Sequence, residues 1–194
     1  MPAPELTTAR LRLRGWREGD LEPLAAINAD AEVTRHLGGP LSREQSDALV
    51  VGFVEHFDRR GFGLWAVEAV AGRELAGFVG LSVPRFEAHF TPCVEIGWRL
   101  GRRFWGRGLA TEAAREALRF GFEEAGLVEI VSFTVPANAR SRAVMERLGM
   151  RRDPGGDFEH PALPAGHRLR NHVLYRLELD AWRESRERES ARRS

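Results

Sequence analysis

The chain has 194 residues, 43% hydrophobic and 29% charged, the balance of one folded domain rather than of a disordered segment. Its formal net charge is only +1, so nucleic acid is not the expected partner. One cysteine, Cys93, excludes an internal disulfide framework, and no apolar run approaches the roughly 20 residues of a membrane span.

Residues 9–14 predict a first strand, with Leu11 and Leu13 on one face and arginines on the other. The opening residues lack the basic start and apolar stretch of a secretion signal, so the expected setting is cytoplasmic. Asp20 is placed to cap a helix through about Asn28. Ser42 and Gln45 have capping-box spacing, and Leu49, Val50, Phe53, Val54 and Phe57 follow at helical spacing to about Arg60. Residues 62–70 and 74–83 predict a hairpin, and 92–100 a fourth strand. A loop rich in Gly and Arg spans 101–108. A helix over 109–124 carries Ala110, Ala113, Ala114 and Ala117 on one stripe, small enough to lie close to a sheet. Residues 129–135 predict a fifth strand, and Asn138 starts a short helix that Gly149 stops. Residues 154–170, rich in Pro, Gly and His, predict a long loop. Residues 171–179 predict the last strand. From 181 the chain alternates Arg, Glu and Ser without an apolar stripe, which predicts a flexible charged tail over 181–194 after one domain over 1–180. The order predicts an α/β fold with a mixed sheet covered by helices.

The unit that carries chemistry is strand 92–100, loop 101–108 and the helix after it. Gly106 and Gly108 allow a tight turn and close approach of a ligand. The free N–H groups and positive dipole end of the helix point into the loop, which suits a phosphate or pyrophosphate. Arg102, Arg103 and Arg107 add charge, and since all 29 basic residues are arginine, any side-chain contact to phosphate uses guanidinium. An ordinary glycine-containing turn reads equally well from these residues alone. A dinucleotide fold fits poorly, because Thr111 stands where the third glycine would fall and no acidic residue ends the next strand. A Walker loop is excluded by the missing Gly-Lys-Ser/Thr.

Arg103-x-x-Gly106-x-Gly108, continued by Leu109-Ala110-Thr111-Glu112-Ala113, resembles the cofactor motif of the GNAT superfamily of acetyl-CoA-dependent N-acetyltransferases. A second block agrees: Asn138-x-x-Ser141, then Met145-Glu146-Arg147-Leu148-Gly149-Met150. Glu95-Ile96-Gly97-Trp98 and His172-Val173-Leu174-Tyr175 are similar to the branch of ribosomal-protein alanine N-acetyltransferases. The resemblance spans residues 6 to about 179. It implies a single domain with a mixed, mostly antiparallel sheet of about seven strands and about four helices, splayed between the fourth and fifth strands. It implies acetyl-CoA as cosubstrate, with the pantetheine arm on the backbone of Trp98, Arg99 and Leu100. The pyrophosphate would rest on Arg103, Phe104, Trp105, Gly106, Arg107 and Gly108, with Leu109 and Ala110 in the first helical turn. No metal is implied.

Transfer to an amine needs a base, an oxyanion donor and a hydrogen bond or proton for the departing thiolate. On the fourth strand Glu95, Gly97 and Arg99 share one face, while Val94, Ile96, Trp98 and Leu100 share the other. Glu95 is the candidate base; as alternatives it is an exposed carboxylate or the partner of Arg99. Asn138 reads as an N-cap that can also touch pantetheine. Ser141 is the candidate donor to sulfur, or a plain surface hydroxyl. Family members often place a tyrosine acid where this chain has Met145, which cannot donate a proton. Cys93 reads as a small core residue rather than an acetyl carrier. His172 and Tyr175 are candidate acceptor contacts. The expected partner is a small-molecule or peptide amine, with no membrane, and a homodimer is compatible. The competing readings are a non-catalytic CoA-binding module and a nucleotide-binding regulatory domain.

Overall fold

The structure, a computed structural model, describes residues 3–191. Eight strands form one sheet in the order β1-β2-β3-β4-β5-β6-β8-β7. They are β1 (Leu6–Thr7), β2 (Leu11–Arg14), β3 (Leu64–Ala69), β4 (Glu74–Ser82), β5 (Glu95–Leu100), β6 (Glu129–Thr134), β7 (Arg151–Glu159) and β8 (Asn171–Glu178). Every neighbouring pair is antiparallel except β5 and β6, which run parallel.

Helices α1 (Leu21–Ala29), α2 (Ala31–Thr34) and α3 (Arg43–Arg60) precede β3. The capping box forms as the sequence predicts: the Ser42 N–H donates to Gln45 Oε1 at 2.8 Å and the Gln45 N–H to Ser42 Oγ at 3.2 Å. Asp20 does not cap α1 with its side chain. Its carboxylate is buried and takes two hydrogen bonds from Arg14, at 2.7 and 2.9 Å, which outcompete a local cap.

Helix α4 (Leu109–Arg119) runs into a π-helical turn, Phe120–Glu124. Its alanines Ala113, Ala114 and Ala117 are fully buried, so the helix axis lies close to the sheet and the loop before it is held at the strand ends. Helix α5 (Ala139–Arg147) covers the same face, with Met145 and Leu148 in the main core.

Two further expectations need correction. Residues 154–159 are not loop: β7 continues through a bulge between Asp153 and Phe158. Gly156 makes this work, since a Cβ there would stand 2.5 Å from Leu174 Cδ2. The loop proper is 160–170. Nor is the segment after 180 irregular. Helix α6 (Leu179–Ala191) forms because Trp182 buries its ring against Phe122, centroids 5.2 Å apart. One aromatic anchor replaces the missing stripe. Residues 192–194 of the predicted tail lie outside the described residues.

Candidate functional site

The parallel pair β5 and β6 touch at one register, Glu95 opposite Val131, closed by the Val131 N–H to the Val94 carbonyl at 2.9 Å. One residue on, Ser132 Oγ donates to the Ile96 carbonyl at 2.9 Å. Beyond that the strands part. Backbone groups of alternate residues point to the same side, so those of Trp98 and Leu100 follow Ile96 into the gap. The Leu100 carbonyl is taken by Trp105 Nε1 at 2.7 Å. Among the described residues the Trp98 N–H and C=O have no backbone partner on this side, as β6 pairs with β5 only at Glu95.

The gap opens into a cleft of about 1820 Å³. Its floor at one end is formed by Arg102 and Phe104 of a short 3-10 turn, Arg102–Phe104, followed by Trp105, Gly106 and Gly108, while Arg103 and Arg107 stand outside the lining. Gly106 and Gly108 have φ of +70° and +75°, a region that costs an L side chain about 1–2 kcal/mol. A Cβ on Gly106 would meet nothing within 4 Å, so that position faces open space. The first helical bond of α4 runs from the Glu112 N–H to the Gly108 carbonyl at 3.0 Å. The N–H groups before it face the cleft with the positive end of the helix. A helix start of this kind can hold phosphate oxygens.

The arginines expected around the cradle are partly committed elsewhere. Arg103 lies over the Phe104 ring, 4.7 Å from its centroid, and pairs with Glu74 at 3.2 Å. Arg102 pairs with Asp30 at 2.5 Å. Arg107 stays exposed. Two residues that the sequence did not flag stand in the lining: Arg10 and Arg140. Arg10 binds Glu112 of α4 through Nε at 2.6 Å and donates from Nη1 to the Arg107 carbonyl at 3.0 Å, so it staples the loop to the helix. Arg140 lies over Trp105, 4.5 Å from the ring centroid. Arg10 is about a hundred positions from its partners, and no local pattern marks such a contact.

Asn138 caps α5: its Oδ1 accepts the Ser141 N–H at 3.3 Å and its Nδ2 donates to Thr134 Oγ1 at 3.0 Å. Both Asn138 and Ser141 line the cleft. The Ser141 hydroxyl has no partner among the described residues. Met145 is 1% exposed and packs in the core, so it presents no group to the cleft.

The other face of β5 has a different character. Glu95 is half-buried and lines the cleft. It forms no ion pair or side-chain hydrogen bond among the described residues, and burial pushes its carboxyl up to about 8. Arg99 is not its partner. Arg99 donates from Nη1 to Asn28 Oδ1 at 2.6 Å and stacks on Phe78 at 5.2 Å. Gly97 between them leaves room for the Glu95 side chain, whose Oε1 lies 4.0 Å from where a Gly97 Cβ would be.

His172 lies on the same sheet face as Glu95, but behind Phe133 at 6.0 Å and beside Phe158 and His160, at 5.4 and 5.1 Å. It is outside the cleft lining, and burial lowers its affinity for a proton. Tyr175 points to the opposite face, 2% exposed. Its hydroxyl donates to Glu146 Oε1 at 3.1 Å and accepts from Arg142 Nε at 3.3 Å. The cleft thus brings Glu95, Trp98, Arg99, Leu100, the glycine loop, Asn138 and Ser141 together, and leaves His172 and Tyr175 outside. Cys93 packs beside the aromatic cluster, and burial pushes its thiol up to about 11, so it is a poor nucleophile.

Residues 10–151 match the acetyltransferase (GNAT) domain family. The chain is 33% identical over 153 residues to the FsC-acetyl coenzyme A-N(2)-transacetylase of Aspergillus fumigatus, covering 76% of this chain but 65% of that one. It is 27% identical over 195 residues to the ribosomal protein uS5-alanine N-acetyltransferase of Escherichia coli, covering 94% of each. An acetyltransferase structure from Agrobacterium tumefaciens superposes with a TM-score of 0.73 at 26% identity, covering 92% of this chain and 96% of that one. A family match across both the parted strands and the glycine loop explains why the cleft sits where it does: the chain is an acyltransferase and belongs to the GNAT acetyltransferase family.

Proposed function

We propose that the protein moves an acetyl group from acetyl-CoA directly to a primary amine of a small molecule or peptide, through a ternary complex in the cytoplasm. The observation that carries this is the juxtaposition, in one cleft, of a glycine cradle, unpaired strand backbone at Trp98 and an unpartnered carboxylate at Glu95. The fungal relative's name contains acetyl coenzyme A, which supports the same donor here.

The residues fit that donor. Gly106 and Gly108, with the N–H groups opening α4, would hold the pyrophosphate. Trp98 backbone groups would pair the pantetheine amide, and Arg140 and Arg107 would add charge at the mouth. Acetyl-CoA supplies an acyl group on a good leaving thiolate. The ionised Glu95 takes one proton from the acceptor's ammonium, directly or through one water, so that the neutral amine attacks the thioester carbon; the second N–H proton leaves the tetrahedral adduct for the departing thiolate or solvent, and the raised proton affinity of Glu95 suits it to act near neutrality. A backbone N–H at the parted edge of β5 stabilises the oxyanion. The Ser141 hydroxyl donates to the departing sulfur. The buried, protonated Cys93 argues against an acetyl-enzyme intermediate.

The test is a thiol-release screen with acetyl-CoA against amines and short peptides. Steady release of CoA with at least one amine is expected. Binding of acetyl-CoA without turnover on any acceptor would favour a non-catalytic CoA-binding module.

A further inference from the structure

Among the described residues, two buried side-chain polar atoms have no hydrogen-bond partner: Nδ1 of His36 and Nε of Arg99. Both residues line the cleft. Buried polar groups are nearly always satisfied, so an orphan at a ligand cleft asks for a ligand. Arg99 is the stronger case. It lies on the Glu95 face of β5, with a neutral amide and an aromatic ring as its neighbours. No carboxylate among the described residues pairs with it, although Arg10, Arg12, Arg14, Arg102, Arg119 and Arg176 each have one. Burial lowers its proton affinity to about 10, the mark of an uncompensated cation. The carboxylate of Glu95, four residues back on the strand, turns over Gly97 and leaves Arg99 unpaired.

We propose that Arg99 binds a carboxylate carried by the acceptor, so that the preferred substrates are amino acids or short peptides whose amine reaches Glu95 while their carboxylate rests on the guanidinium. Arginine presents donors in a planar fork that matches a carboxylate, and the acceptor's charge compensates the buried cation. The inference rests on the acetyl-transfer reading above and narrows it from amines in general to amines that also bear an acid group. Arg99 is a specificity residue in this account and takes no part in proton transfer.

The experiment compares matched acceptors with the full-length protein and acetyl-CoA: α- and ω-amino acids, their amides, and the amines that lack the acid group altogether. Rates are corrected for the fraction of free amine. At least one acid should exceed its amide by about thirtyfold in kcat/KM, the effect of one charge-assisted contact. Arg99→Gln should erase that preference, bringing kcat/KM on the acid down to that on its amide, and Arg99→Lys should restore part of it. Equal rates on acids and amides in the unaltered protein would overturn the inference while leaving amine acetylation intact. The same holds if Arg99→Gln slows both classes alike, which is the mark of a purely structural contact with Asn28. No CoA release with any member of the panel would remove the acetyl-transfer reading, and this inference with it. The comparison in the unaltered protein stands even if the variants fail to fold.

Discussion

The two faces of β5 are built by different means. On the α4 side the site is mostly backbone: Trp98 groups at the parted edge, glycines at φ of +70° and +75°, and the first turn of a helix. On the other side it is side chains: among the described residues, an unpartnered carboxylate at Glu95 and a cation at Arg99 without an anion. Backbone sites tolerate side-chain change but not a wrong backbone conformation. Side-chain sites behave the opposite way. Substitutions on the two faces should therefore fail in different assays.

The largest effect is expected in the cradle. Gly106→Val should cost about 1–2 kcal/mol of stability from its positive φ and fill the open space at the proposed cofactor loop. The native chain should gain roughly 2.7 kcal/mol from acetyl-CoA at about 100 times its Kd. The variant should stay folded and show no thermal shift at that concentration. A preserved shift would remove the loop from the cofactor site.

Next comes the acceptor face. Glu95→Gln should lower turnover near neutral pH by about 10²–10⁴-fold without changing the acetyl-CoA thermal shift. The same variant should alter stability with the opposite benefit. The folded state holds the Glu95 proton up to about pH 8, while an unfolded chain releases it near the usual carboxylate value. Between those values the folded protein binds more protons, so the native chain loses stability as pH rises. The Gln variant escapes that loss. It should melt higher than the parent above pH 8 and converge with it toward pH 4, which denaturation across that range would measure.

The smaller effects lie on sulfur. Ser141→Ala should slow turnover about tenfold at every pH, since a thiolate whose pKa is near 8.5 leaves fairly well unaided. Cys93→Ala should keep most activity, and mass spectrometry should find no acetyl group on Cys93. An adduct there would replace direct transfer by a two-step route.

The same division explains what could be read in advance. Gly106, Gly108 and the alanine stripe of α4 are local patterns, so the cradle was visible as a candidate, though an ordinary turn fitted as well. The alternation along 95–100 put Glu95 and Arg99 on one face and Trp98 on the other, as found. What local patterns left open was whether those two charges pair. Both are committed, or left uncommitted, by Asn28, Phe78 and the glycine between them. Tyr175 and His172 shared one segment in sequence but fall on opposite faces of β8, and neither lines the cleft. A bulge over Gly156 carries the strand at 154–159 and a single buried Trp182 carries helix α6, and neither leaves a periodic trace in the sequence. Arg10 was invisible because its partners are in α4.

The most direct measurement of the central claim is the pH profile of kcat/KM for native protein and Glu95→Gln with one identified acceptor. The native rate should climb through its midpoint near pH 8 and level off above it, and the deficit of the variant should shrink as pH approaches the acceptor's own pKa, where free amine appears without help. A variant with native rates at neutral pH, or a deficit constant across the range, would contradict Glu95 as the base.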